Sequence, residues 1–148
     1  MRDIKFRGKR IDNGEWVHGS LLSFTEGREF IGVSGARLDL FEHDFEHVES
    51  VRAVDPATVG QYTGLKDKNG VWIYEGDYLR AGEKYKSWSG KDFGHLLLVE
   101  WRGTGFAHKV IDQYGDAQPT DYFAPSVWSK QSEVIGNVHD NPELAKEA

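Results

Sequence analysis

Residues 60–78, GQYTGLKDKNGVWIYEGDY, constrain the fold more than any other stretch of this chain. Asp67-Lys68-Asn69-Gly70 sets a helical-turn pair before a glycine that can take positive φ, the chemistry of a type I turn closed by a glycine bulge. Val71-Trp72-Ile73-Tyr74 follows as a β-branched and aromatic run, and Glu75-Gly76-Asp77 breaks it. The stretch reads as a hairpin.

The same grammar runs through most of the sequence. Ile4 and Phe6 alternate with Lys5 and Arg7, a period-two pattern that buries one pair and exposes the other. Asp12-Asn13-Gly14 is a turn, Glu15 to Phe24 a second strand with Gly19 as a bulge position, and Glu29–Val33 a short third strand after the turn at 25–28. Residues 37–54 suit either strands or a frayed helix. Pro56 opens a linker, and two lobes are expected, 1–55 and 56–148. Residues 81–95, rich in Gly, Lys and Ser, read as a long loop, and Leu96–Trp101 as a central strand buried on both faces. Gly103-Thr104-Gly105 turns into Phe106–Ile111, and Val127-Trp128 and Glu133–Val138 are the last strand candidates. A short C-terminal helix is expected, with Asn141 as cap, Pro142 in the first position and Glu143 at the positive end of the dipole. Seventeen glycines and a high aromatic content agree with a mainly β chain. Its C-terminal half has the layout of a small SH3-like barrel, packed with a smaller N-terminal β lobe.

Composition narrows the function. With 148 residues the chain can bury a core without staples, and with no cysteine it has neither disulfides nor thiolate metal sites. No basic-then-apolar leader and no run of about 18 apolar residues is present, so a cytoplasmic address is expected, with no membrane partner. No P-loop, dinucleotide fingerprint or nucleophile elbow is found, and no cofactor is expected.

Net charge is −6 and unevenly placed. Residues 2–10 carry five cations against one carboxylate, and residues 39–50 carry five carboxylates with no Lys or Arg. Three sites follow. Lys5, Arg7, Lys9 and Arg10, with Tyr85, Lys86, Trp88 and Lys91 of the 81–95 segment, have the cations and aromatics of a single-stranded nucleic-acid groove. The plainer reading, which we favour, is an edge strand guarded by charge. Asp39, Glu42, Asp44 and Glu46 form a docking surface for a basic partner, or simply a solvated face. His43-Asp44-Phe45-Glu46-His47 fits H-x-x-E-H, in which His43 and His47 on one helical face hold zinc and Glu46 acts as general base. Glu75 and Asp77 are the best-placed acidic pair for chemistry, although Asp77 is better read as an acceptor for nearby turn amides. Trp16, Trp72, Tyr74, Tyr78, Trp101 and Trp128 are assigned to the core.

Four blocks carry a family resemblance: Ile4–Arg10 with Gly14-Glu15-Trp16-Val17, Asp55-Pro56-Ala57-Thr58-Val59-Gly60, the hairpin itself, and Glu133–Leu144 with its Gly136-Asn137 and Asn141-Pro142 pairs. They resemble the YopX-like proteins of phages and prophages, from one end of the chain to the other. The resemblance implies a mobile-element origin and transfers no catalytic residue. The expected function is a non-enzymatic accessory module that binds a host or phage protein, with self-association open. A nucleic-acid-binding module and a metal-dependent hydrolase at His43, Glu46 and His47 are the alternatives.

Overall fold

The protein is mainly β, and its described residues form two antiparallel sheets. The computed structural model describes residues 3–33, 51–86, 92–111, 122–124 and 129–146. The chain divides into two units, Met1–Tyr62 and Thr63–Ala148, each described by itself.

In the first unit, β1 (Phe6–Lys9), β2 (Trp16–Ser23), β3 (Glu29–Gly32) and β4 (Val51–Val54) lie in the order β4-β3-β2-β1, with the start of β5 (Gly60–Lys66) on the far side of β1. β1 pairs with β2 from Phe6↔Gly19 to Lys9↔Trp16, and with β5 through Phe6↔Gln61 and Arg7↔Gly60. The basic strand is therefore interior to its sheet, not the guarded edge expected from its charge. What makes this tolerable is the surroundings of Arg7, which is 8% exposed and has its guanidinium over the Trp16 ring. Beyond β1 the chain reaches β4: Arg10 bridges Val54, and the Ile11 amide donates to the Ala53 carbonyl at 3.1 Å.

Among the described residues of this unit, Phe30, Ile31, Val51, Val54 and Tyr62 are the buried apolar ones. Gly19 marks no bulge. Pairing on either side of it runs in register, and a Cβ there would collide with the Gly32 carbonyl oxygen. Its role is close backbone approach.

The second unit opens with the expected hairpin. After β5 the chain turns at Asp67–Gly70 into β6 (Trp72–Tyr74). The Gly70 amide donates to the Asp67 carbonyl at 3.0 Å and Gly70 takes φ 81°, as the glycine-closed turn requires. β7 (Asp77–Lys86), β8 (Asp92–Trp101), β9 (Phe106–Val110), β10 (Tyr122–Phe123) and β11 (Glu133–Asn137) form a sheet in the order β10-β9-β8-β7-β11. Ile73, Leu79, Ala81, Leu97, Val99 and Val110 pack as its core, with Leu65 and Val134 against them. Each such Leu, Ile or Val stabilises the fold by about 1.5–3 kcal/mol. β8 is central, and its neighbours Leu96 and Leu97, which point to opposite faces, are both buried.

Among the described residues both sheets are open, and an SH3-like barrel is not seen. Two further expectations are corrected. Much of the 81–95 segment is a continuation of paired strands: Tyr85 lies opposite Phe93 and Lys86 opposite Asp92, past a register shift after Ala81. The C-terminal helix is a single 3₁₀ turn, Pro142–Ala145. Asn141 does not cap it with its side chain, because its Oδ1 accepts the Asn137 amide and its Nδ2 donates to Glu143.

Candidate functional site

The polar residues of the family-like blocks are bound into their own turns. Asp55 Oδ1 accepts the Ala57 amide at 3.0 Å and so starts the 3₁₀ turn Pro56–Thr58, and Thr58 Oγ1 accepts the Lys9 amide at 2.9 Å. Asp67 is 6% exposed and accepts three amides: Asn69 (2.8 Å) and Val71 (2.9 Å) on Oδ1, and Val134 (3.0 Å) on Oδ2. Asp77 is 1% exposed, and its Oδ2 accepts the Tyr74 amide at 2.8 Å, which is the role expected of it in this turn. Asn137 Oδ1 accepts the amides of His139 and Asp140, both at 3.0 Å, while its Nδ2 donates to Asp140. The Asp and Asn side chains accept backbone amides of their own turns, and Asp67 also accepts the amide of the half-buried Val134.

The basic row is also engaged. Lys5 pairs with Asp3 at 2.8 Å, and Arg10 with Asp12, whose hydrogen bond raises the arginine and lowers the carboxyl from their ordinary pKa values. Arg7 and Lys9 both lie over Trp16, at 4.7 and 5.5 Å from the ring centroid. His18, opposite Arg7, has its pKa lowered by desolvation first and by the arginine charge second. Lys86 ends β7, so its backbone belongs to the second unit, whereas Lys5, Arg7, Lys9 and Arg10 belong to the first. Trp88 and Lys91 lie outside the described residues, as do Asp39, Glu42, His43, Asp44, Glu46, His47 and Trp128. Among the described residues no group of three or more His, Asp or Glu is placed to hold a metal.

The surface feature missed from sequence is at the β8–β9 end of the second unit. Trp101, assigned to the core, is 46% exposed and meets Phe106 across the strands in a T-shaped contact at 5.0 Å. An open cleft of about 430 Å³ runs beside it, lined by Glu75, Gly76, Leu98, Glu100, Trp101 and Val138. Two backbone bonds, both 2.9 Å, assemble it: the Gly76 amide donates to the Val99 carbonyl, and the Val138 amide to the Gly76 carbonyl. The available signal was position. Trp101 is the last residue of its strand, one residue before the turn, where a core-facing side chain emerges at the rim.

A second cleft, about 380 Å³, lies by Arg10, Ile11, Asp12 and Arg52 in the first unit. Its guanidiniums are engaged, Arg10 with Asp12 and Arg52 with the Val51 carbonyl. His108 is fully buried opposite Val99, neither ring nitrogen has a hydrogen-bond partner, and burial pushes its pKa down to about 4.

The fold and these surfaces define a class: a mainly β, two-sheet protein whose recognisable residues hold turns. The chain belongs to the YopX protein family, whose model matches residues 5–146. It is also similar in fold to the crystal structure of protein EF1440 from Enterococcus faecalis, with a TM-score of 0.54 and 22% identity over 98% of this chain and 99% of that one. No curated protein matches. Among the described residues, no helix is long and apolar enough to cross a membrane.

Proposed function

We propose that this protein is a non-enzymatic protein-interaction module of phage or prophage origin, acting in the bacterial cytoplasm on a host or phage protein. The observation that carries this reading is the exposed Trp101, in edge-on contact with Phe106 beside an open cleft. Aromatic anchors beside clefts are what binding surfaces are built around. The engagement of Asp55, Asp67 and Asp77 by turn amides supports it, since the carboxylates of the family-like blocks are then fold determinants. The β7-β8-β9 meander supports an SH3-like order of strands in the second unit, in an open sheet.

Affinity capture from host lysate, with and without nuclease and read by quantitative mass spectrometry, tests the reading. A stoichiometric partner that survives nuclease is expected. Partners that vanish with nuclease would overturn it in favour of nucleic acid, the second reading. That alternative rests on Arg7 and Lys9 sharing one sheet face over Trp16. It requires salt-dependent affinity in gel shifts that falls on replacing Lys5, Arg7, Lys9 and Arg10. Replacing Asp39, Glu42, Asp44 and Glu46 with Ser or Asn tests the acidic docking surface. Stoichiometric zinc in protein purified without nickel would support the hydrolase at His43, Glu46 and His47. Sedimentation tests self-association.

A further inference from the structure

We propose that Asn69 is a site of spontaneous deamidation held in check by Asp67, and that its conversion loosens the β5–β6 turn from β11. The chain has two Asn-Gly pairs, Asn13-Gly14 and Asn69-Gly70. Both pairs are exposed, and both glycines take positive φ, 72° and 81°. Glycine after asparagine leaves the backbone nitrogen open to approach, since no Cβ stands in the way.

The reaction needs only water. The Gly70 amide nitrogen gives up its proton and bonds to Cγ of Asn69, the Cγ–Nδ2 bond breaks, and ammonia leaves with the proton. A succinimide ring results. Water then adds to one of its two carbonyls and breaks that carbon's bond to nitrogen. Opening at Cγ leaves an aspartate. Opening at the α-carbonyl leaves an isoaspartate, whose main chain runs through Cβ and Cγ.

Asp67 stands against the first step. Three successive amides of the turn are bonded to this one residue: Asn69 and Val71 donate to its Oδ1 at 2.8 and 2.9 Å, and Gly70 donates to its carbonyl at 3.0 Å. The Gly70 bond fixes the peptide plane between Asn69 and Gly70 and keeps the proton on the attacking nitrogen. Attack therefore waits for the turn to open. Opening is local, because residues 68–71 are all exposed. The Asn69 carboxamide has no hydrogen bond to a described residue, so it can swing toward the Gly70 nitrogen as soon as the turn opens. Asn13 differs: Glu15 holds its carboxamide at both ends, the backbone amide on Oδ1 at 2.9 Å and Oε2 on Nδ2 at 3.0 Å.

The product acts beyond the turn. Isoaspartate inserts a methylene into a turn closed by the bond from Gly70 to the Asp67 carbonyl, which shifts the following amides off Asp67. Either product adds a carboxylate to the turn that already holds the buried Asp67 carboxylate, and like charges repel. Asp67 Oδ2 accepts the Val134 amide, the Lys68 amide donates to the Ser132 carbonyl at 3.0 Å, and the Lys68 ammonium pairs with Glu133 at 3.0 Å. These ties to β11 run through the two residues just before Asn69.

The test follows the full chain in neutral buffer at physiological temperature by peptide mapping. Conversion at position 69 adds one mass unit, and labelling with isoaspartyl methyltransferase separates isoaspartate from aspartate. The same chain in guanidinium gives the unfolded rate, and hydrogen exchange gives the protection of the Gly70 amide. Conversion is expected, with isoaspartate in excess, slowed relative to the unfolded chain by the same factor as Gly70 exchange, because one opening frees both. Asp67→Ala should speed it by about tenfold or more, as loss of two turn hydrogen bonds implies. Asn13, in the first unit, is the internal reference and should keep its parental rate. The isoaspartate fraction should lose exchange protection at Val134.

An Asn69 still intact when the exchange-derived rate predicts full conversion overturns the inference. So does conversion as fast in the folded chain as in guanidinium, or an unchanged rate in folded Asp67→Ala. If Asn13 accelerates in that variant as well, the variant has unfolded, and the match between conversion and Gly70 exchange in the parent decides. Unchanged Val134 protection in the modified chain would overturn the loosening of β11.

Discussion

Replacing Asp67 with Ala should be among the most damaging single changes in the second unit, although the residue sits in a surface turn. Its carboxylate accepts three amides at 2.8, 2.9 and 3.0 Å and is 6% exposed. Two of the donors, Asn69 and Val71, belong to exposed residues, so water can replace the carboxylate there at about 0.5–1 kcal/mol each. The third, the Val134 amide, belongs to a half-buried residue beside the core, and leaving it unsatisfied costs about 2 kcal/mol. The total is about 3–4 kcal/mol, or a fall in Tm of about 6–15 °C for a chain of this size. Asp67→Asn separates the terms. One oxygen can still serve the two turn amides, but the amide nitrogen then faces the Val134 N–H, donor against donor. That variant should retain the turn and lose about 2 kcal/mol. Calorimetric or fluorescence melts give the totals, and amide exchange at Val134 reports the long-range bond directly. Refutation would be an Asp67→Ala protein melting within about 2 °C of the parent, or Val134 exchange unchanged in Asp67→Asn.

Acid should also destabilise the protein through His108. Its folded pKa, about 4, lies below the ordinary 6.5, so the unfolded chain binds the proton more readily. The neutral form's advantage is complete above pH 6.5 and is lost as pH falls from there toward 4, about 3 kcal/mol in all. Urea melts of His108→Leu should show a flatter acid limb with little loss at pH 7, because both ring nitrogens lack partners; an unchanged limb would contradict this. Gly19→Ala should cost about 1–3 kcal/mol or prevent folding, because its Cβ would meet the Gly32 carbonyl, and a wild-type melting curve would refute that close approach. Asn137→Ala should lower stability by about 1–2 kcal/mol through the His139 and Asp140 amides, measured by chemical denaturation.

What was legible in the sequence was local. Asp67-Lys68-Asn69-Gly70 announced its turn because the required φ and the side-chain acceptor are written within four residues. The bond from Asp67 to Val134 spans 67 positions and has no local signal. The strands beyond Ala81 were hidden for the same reason: a glycine- and lysine-rich stretch has weak intrinsic β preference, and cross-strand partners decide its state. β1 looked like an edge because its charges alternate, yet Arg7 rests over Trp16, a pairing that becomes visible only with the β1–β2 register. Asn141 and Pro142 spelled a helix start correctly in composition, but the asparagine side chain is used by Asn137, upstream of the turn. Trp101 failed as a core residue because hydrophobicity does not say where along a strand the sheet ends. The acidic run and the H-x-x-E-H segment lie outside the described residues.

Trp101→Ala tests the central claim most directly, since it removes the exposed anchor without touching the residues that hold the turns. Lysate capture after nuclease treatment should lose the stoichiometric partner, while Tm stays within about 2–4 °C of the parent for a truncation at the rim of the core. Capture of the same partner at undiminished stoichiometry by the folded variant would contradict the account.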